Sequence, residues 1–210
     1  MKKIDFYFDF ISPFAYFGFR RLGEFTEKAE ISLKPVLFAG LLGHWESKGP
    51  AEIPPKRTFT YQYTHWYGTH HGIPFKMPPA HPFNPLPALR LAIAANCQFS
   101  AVSRIFDFVW AEGKSFEDAE AVNRLGKDIG IEDVGEATAA PRVKATLKDY
   151  TDQAIAAEVF GVPTFMVDNQ LCWGVDSIDM VLDYLAGETV FQDAEYKRIS
   201  SLPAAIHRKI

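Results

Sequence analysis

"FDFISPFAYF", Phe8 to Phe17, carries the chain from the end of a strand into the start of a helix. Upstream, Ile4 to Phe10 is rich in aromatics and alternates imperfectly, which predicts a buried strand with Asp5, Tyr7 and Asp9 on one side. Ser12 has the chemistry of a helix N-cap, and Pro13 suits the first helical position. Phe14, Phe17, Gly18, Leu22, Phe25 and Ala29 continue as a helical stripe, and Ile31 to Phe38 predicts a second strand. A β-α-β unit therefore occupies the first forty residues or so. Unpaired N–H groups and the helix dipole favour negative charge at such a helix start, and a thiol placed there ionises more readily. Several folds put a reactive sulfur at this join; this chain has Ser12. Taken alone, a plain helix cap is the first reading of an N-cap serine.

Beyond the second strand the character changes. Gly43 to Pro55 reads as loop and Thr58 to His71 as helix. "GIPFKMPPAHPFNPLP", residues 72–87, is too dense in proline for a regular helix and suits a pocket wall. Leu86 to Gly113 predicts one or two helices, Ser115 to Glu136 further ones broken at glycines, and Pro141 to Phe160 a last long helix. Val162 to Val167 and Gln170 to Trp173 predict a hairpin turning at Asp168-Asn169. Asp176 is expected to cap a helix running to Leu185, with Gly187 as the stop. Removing the helical middle leaves β-α-β-α-β-β-α, the element order of a thioredoxin fold. The expectation is an α/β protein with a thioredoxin-like unit at 1–40 and 146–187, an inserted helical domain at 41–145, and a tail at 188–210 that the pattern does not place.

Composition narrows the function. The 210 residues carry 22 Lys and Arg against 26 Asp and Glu, a net charge of -4, and the basic residues do not cluster. Nucleic acid is not an expected partner. No apolar run is long enough to span a bilayer, and Asp5 and Asp9 interrupt the run after Met1-Lys2-Lys3 that could otherwise pass for a secretory leader. Membrane is not an expected partner either. The two cysteines, Cys97 and Cys172, form no disulfide framework, so a reducing cytoplasm is the default. Both read as packed thiols. The histidines, His65, His70, His71 and His81 among them, have no metal-ligand spacing, and no metal is expected.

Two further motifs bear on chemistry. In Gly161-Val162-Pro163-Thr164, a proline between a helix and a hairpin is in many proteins only a turn. In thioredoxin-like folds the same position is a cis-proline facing the first helix, where the preceding residue's backbone can pair with an extended peptide. Trp173-Gly174-Val175-Asp176-Ser177 opens a helix; it is either a plain cap or an amino-acid clamp, with amides for a carboxylate and Asp176 for an amine.

Together, "DFYFDFISPFAY", "KPVLFAGL", "EVFGVPTFMV" and "CWGVDSIDMV", in this order and spacing, resemble the DsbA-like branch of the thioredoxin superfamily, within the kappa-class glutathione transferase group. The similarity is greatest to the 2-hydroxychromene-2-carboxylate isomerases and extends to about Gly187. It implies a DsbA-like fold with a large all-helical insertion, glutathione as cofactor, a small aromatic carboxylate as substrate, and a homodimer. Ser12 matches the serine that supports the glutathione thiolate. Val162, before Pro163, matches the residue whose backbone pairs with the cysteinyl part. Asp176 matches the acid that holds the γ-glutamyl amine. Lys56 matches a lysine near the glycine carboxylate. Ser47 falls where kappa-class proteins carry asparagine; Val175 and Ser177 replace a serine or asparagine and an arginine beside the acid. Phe14, Tyr16, Trp45 and Phe83 are expected walls for a flat substrate, and Asn84 a polar contact to it. The implied reaction is glutathione-dependent isomerisation in aromatic catabolism. A kappa-like transferase and a non-catalytic binding module stay open, while dithiol exchange has no cysteine at 12–15 to carry it.

Overall fold

The computed structural model of the chain describes residues 1–206. Strand β1, Lys2–Phe8, lies in the middle of the sheet. It pairs in parallel with β2, Ala29–Pro35, and antiparallel with β3, Thr164–Val167. β3 in turn pairs with β4, Gln170–Trp173, and the strand order is β2-β1-β3-β4. Side chains alternate across a strand. Ile4, Phe6 and Phe8 therefore enter one buried cluster, and Tyr7 enters a second on the other face with Val36, Leu41, Ala154, Val159 and Val162.

Helix α1, Pro13–Arg20, packs on the first face. On the second lies α2, Phe38–His44, which contacts a long helix near the end of the chain. The insertion follows as α3, Pro54–His70; α4, Leu86–Ala94; α5, Phe99–Phe106; α6, Ala119–Asp128; and α7, Val134–Ala139. Its core is continuous with that of the sheet. The Phe106 ring lies 4.5 Å from Phe10, 5.1 Å from Phe19 and 5.4 Å from Phe8, centroid to centroid. Trp110 is fully buried, stacks on Phe75, and donates its indole N–H to the Phe10 carbonyl at 2.8 Å. The insertion thus reaches the turn that precedes α1.

Helix α8, Pro141–Ala156, runs unbroken across the position expected to divide insertion from thioredoxin-like unit, between 145 and 146, and touches α2, α4, α7 and β2. Helix α9, Ile178–Ala186, ends at Gly187 in the left-handed region (φ 81°), as its glycine permits. The tail folds back: α10, Ala194–Ile199, brings the Tyr196 hydroxyl to donate to Gln170 Oε1 at 2.9 Å.

Local expectations shift: β2 is Ala29–Pro35 rather than Ile31 to Phe38, Ala29 belongs to it and not to the helical stripe, and three further shifts bear on the site. β1 ends at Phe8 rather than Phe10, because Asp9 begins a turn in which its carbonyl accepts the Ser12 N–H at 3.1 Å. β3 starts at Thr164, since Pro163 has no N–H for the ladder. Asp176 is not a cap: it sits within a 3-10 turn, Val175–Ser177, that leads into α9, and its carboxylate accepts no bond from that helix.

Candidate active site

A cleft of about 780 Å³ opens between the sheet end and the insertion. Ser12 stands in its floor, 8% exposed. Its backbone is extended (φ -93°, ψ 115°), so its hydroxyl caps α1 by accepting the Ala15 N–H at 3.1 Å. The hydroxyl proton points to the Val162 carbonyl at 3.4 Å, at the long limit for a hydrogen bond. Pro13 has no N–H, and the Phe14 N–H finds no acceptor among the described residues. The first turn of α1 therefore offers a weakly committed hydroxyl and an open amide to an incoming anion.

The Val162-Pro163 peptide is cis and faces this turn. α1 comes so close that a Cβ on Gly18 would lie 3.2 Å from Pro163 Cγ. The Pro163 carbonyl accepts the Gly174 N–H at 2.9 Å, while the Val162 N–H has no acceptor among the described residues. An extended ligand backbone can pair there.

Val175 and Asp176 line the cleft next. The Val175 side chain is buried in the core, which accounts for an apolar residue here; what it presents outward is backbone. The N–H groups of Val175 and Asp176 have no acceptors among the described residues. The Asp176 carboxylate is exposed and pairs with no cation among them. From the loop between α2 and α3, Ser47 joins the lining, as does Lys56 in the first turn of α3, whose ammonium likewise has no ion pair among the described residues. Phe14, Phe83 and Tyr63 make an apolar wall, with Phe14 and Tyr63 rings 6.0 Å apart.

Three expected substrate contacts lie elsewhere. Tyr16 is fully buried and donates its hydroxyl to the Pro74 carbonyl at 2.7 Å; burial pushes its pKa up to about 12. Trp45 is outside the cleft, its indole N–H bonded to the Val159 carbonyl at 3.1 Å, where it ties the end of α2 to the segment before Pro163. Asn84 turns the proline-dense loop into α4 by accepting the Leu86 N–H at 3.1 Å. The two cysteines stay out of the lining, and burial pushes each thiol up to about 11.

Several lining residues carried no expected role, and two of them bond to the turn before Ser12. His81, in the proline-dense loop, is one. The other is Asp9, fully buried, whose Oδ1 accepts the Ile11 N–H at 3.1 Å and whose Oδ2 accepts the Phe38 N–H at 2.9 Å. It staples the turn before Ser12 to the start of α2. Burial raises its pKa to about 7, against the pull of those N–H donors. The sign follows from linkage. The unfolded chain loses this proton near pH 4 and the native chain holds it to near 7, so stability is lost as pH rises between the two. Urea midpoints across pH 4–7 are expected to fall for the wild type by an amount worth up to about 4 kcal/mol from this group, and to be flatter in Asp9→Asn. Parallel curves would mean that Asp9 is ionised throughout.

A family model for the DSBA-like thioredoxin domain matches residues 3–186. Among curated proteins, glutathione S-transferase kappa 2 of Caenorhabditis elegans is 29% identical over 207 residues, covering 88% of this chain and 92% of that protein. A 2-hydroxychromene-2-carboxylate isomerase of Sphingobium xenophagum is 26% identical over 194 residues, covering 88% and 98%. Among solved structures, that of a 2-hydroxychromene-2-carboxylate isomerase superposes with a TM-score of 0.76 at 23% identity, covering 92% of this chain and 98% of the other.

Proposed function

Given that the chain belongs to the DsbA-like thioredoxin family, we propose that it is a glutathione-dependent isomerase acting on 2-hydroxychromene-2-carboxylate or a closely related aromatic carboxylate, in the catabolism of aromatic compounds. The observation that carries this reading is the placement of Ser12: a hydroxyl with only a 3.4 Å bond to give up, at a helix start facing the cis Val162-Pro163 peptide, in a chain with no cysteine in that turn. The relatives named as isomerases and as a kappa-class transferase support it.

The residues present fit glutathione. The open Val162 N–H suits the cysteinyl backbone, the unpaired Asp176 carboxylate the γ-glutamyl ammonium, and the unpaired Lys56 ammonium the glycine carboxylate. Ser47, in the same lining, offers a hydroxyl. Bound glutathione supplies a thiolate able to add to and leave a conjugated carbon, so that a double bond becomes single long enough to rotate. The protein's part is to keep that sulfur ionised and the substrate flat. A free thiol has a pKa of about 8.5, so ionisation at neutral pH needs help. Ser12 provides it by turning its O–H from the Val162 carbonyl to the sulfur, while the Ala15 N–H keeps the oxygen in place. The dipole of α1 adds to the effect. Phe14, Tyr63 and Phe83 offer a dry apolar wall to the aromatic ring.

The test is ultraviolet monitoring of hydroxychromene carboxylate turnover with and without glutathione. Turnover that needs glutathione and leaves its concentration unchanged is the expected result; equal turnover without it would sink the cofactor assignment. The second reading is a kappa-class-like transferase, favoured by the 29% identity to the nematode protein, and it predicts that glutathione is consumed into a released conjugate. The cytoplasm, where glutathione is kept reduced, is the compartment proposed with this function, and a homodimer the assembly.

A further inference from the structure

The turn that presents Ser12 is held from the insertion at two successive carbonyls. Trp110 Nε1–H donates to the Phe10 carbonyl at 2.8 Å, and His81 Nε2 lies 2.8 Å from the Ile11 carbonyl oxygen. Ile11 immediately precedes Ser12. A carbonyl only accepts, so the ring nitrogen that faces it carries the proton. His81 Nδ1 is then a bare lone pair. It meets the Tyr61 hydroxyl of α3 at 2.9 Å, and the same hydroxyl lies 2.6 Å from the His81 carbonyl. The Tyr61 O–H donates to the His81 carbonyl, and its oxygen beside Nδ1 holds the imidazole in place, while the Ile11 carbonyl sets which nitrogen carries the proton. The ring is half-buried, edge-on to Trp110 and Phe83 at 5.7 and 6.0 Å. Burial lowers its pKa, against the opposing pull of the Ile11 carbonyl, and so favours the neutral ring.

We propose that His81 is a positioning residue for Ser12: Tyr61 orients the imidazole, and its Nε2–H clamps the Ile11 carbonyl, so that the helical insertion aims the Ser12 hydroxyl. The clamp also couples two parts of the cleft. Pro82 and Phe83, next to His81, belong to the apolar wall, while Ser12 belongs to the floor. His81 gives wall and floor a common frame, and the distance between a substrate ring and the activated sulfur is set across it.

The kinetic part rests on the glutathione reading above; the tautomer does not. In ligand-free wild-type protein at pH 7, long-range proton–nitrogen NMR is expected to show His81 as the neutral Nε2–H form, its signals identified by their loss in His81→Gln. An Nδ1–H ring, whose bare Nε2 has no proton to give the Ile11 carbonyl, would overturn the clamp whether or not glutathione binds. His81→Leu keeps apolar bulk but has no donor. It is expected to raise the pKa of the bound thiol, read from thiolate absorbance, by about half a unit to one unit, and to lower kcat about three- to tenfold with KM for glutathione within about twofold. His81→Gln, whose amide N–H can reach the Ile11 carbonyl, is expected to recover most of the loss. Equal effects of Leu and Gln would reduce His81 to packing, and an unchanged thiol pKa in His81→Leu would overturn the aiming role. Failure of the wild type to bind glutathione would instead remove the functional reading and leave the NMR result to judge the clamp.

Discussion

Ser12→Ala is expected to raise the pKa of glutathione's thiol in the complex by about one to two units, because a hydrogen bond to a charged group is worth roughly 1.5–3 kcal/mol. At pH 7 the turnover rate should fall about ten- to a hundredfold, and raising the pH should restore part of it. The same substitution removes the cap of α1, where the Ser12 hydroxyl accepts the Ala15 N–H. That costs about 1 kcal/mol of stability, which a thermal melt reads separately. Ser12→Thr keeps a hydroxyl for both tasks and should retain most of the activity. A titration of thiolate absorbance in the complex decides the matter. If the pKa in Ser12→Ala equals that of the wild type, Ser12 is a cap and nothing more.

Asp176→Asn is the second large effect. The Asp176 carboxylate is exposed in the cleft, bonds to no group of its own helix, and pairs with no cation among the described residues. Its loss should leave the melting temperature nearly unchanged. Glutathione should bind about tenfold more weakly, the lower end of a charge-assisted bond because water reaches this rim. An analogue of glutathione lacking the γ-glutamyl amine separates this pairing from other causes. It should bind the wild type about as weakly as glutathione binds the variant, and the variant itself with little further loss. Isothermal titration of the four combinations measures the coupling. Losses that simply add would place the amine away from Asp176.

Asp176 also shows where reading along the chain reaches its limit. An acid before an apolar helix is the usual pattern of a cap, and the motif by itself leaves a cap and an amino-acid clamp both open. The chain instead enters α9 through a 3-10 turn, in which Ser177 Oγ donates to the Gly174 carbonyl and the aspartate is left open to the cleft. Local preference could not tell those outcomes apart, because both use the same residue types at the same spacing. Tyr16, Trp45 and Asn84 lie outside the cleft lining for a related reason. Aromaticity near a site says nothing of direction, and each of the three is turned to a backbone partner elsewhere. His81, in a proline-dense stretch, and Asp9, inside the strand-to-helix stretch, have no spacing that shows what each bonds to. The proline-dense stretch suits a pocket wall, and the histidine within it is the signal that sequence offers.

Residue order alone was enough for the thioredoxin-type arrangement. The strand before Ser12, the cap and proline that start α1, the proline ahead of β3 and the hairpin are short-range patterns, and each follows from backbone chemistry within a few residues. The sequence also ruled out dithiol exchange, since no cysteine lies in the turn. Which groups meet was decided only by packing between distant segments. Val162 reaches Ser12 across 150 residues, Trp110 reaches Phe10 across 100, and His81 reaches Ile11 across 70. A hydrogen bond needs its partners within about 3 Å and correctly aimed, and no pattern along the chain carries that information. It arises when the insertion's core closes onto the sheet and brings the two halves of the cleft together.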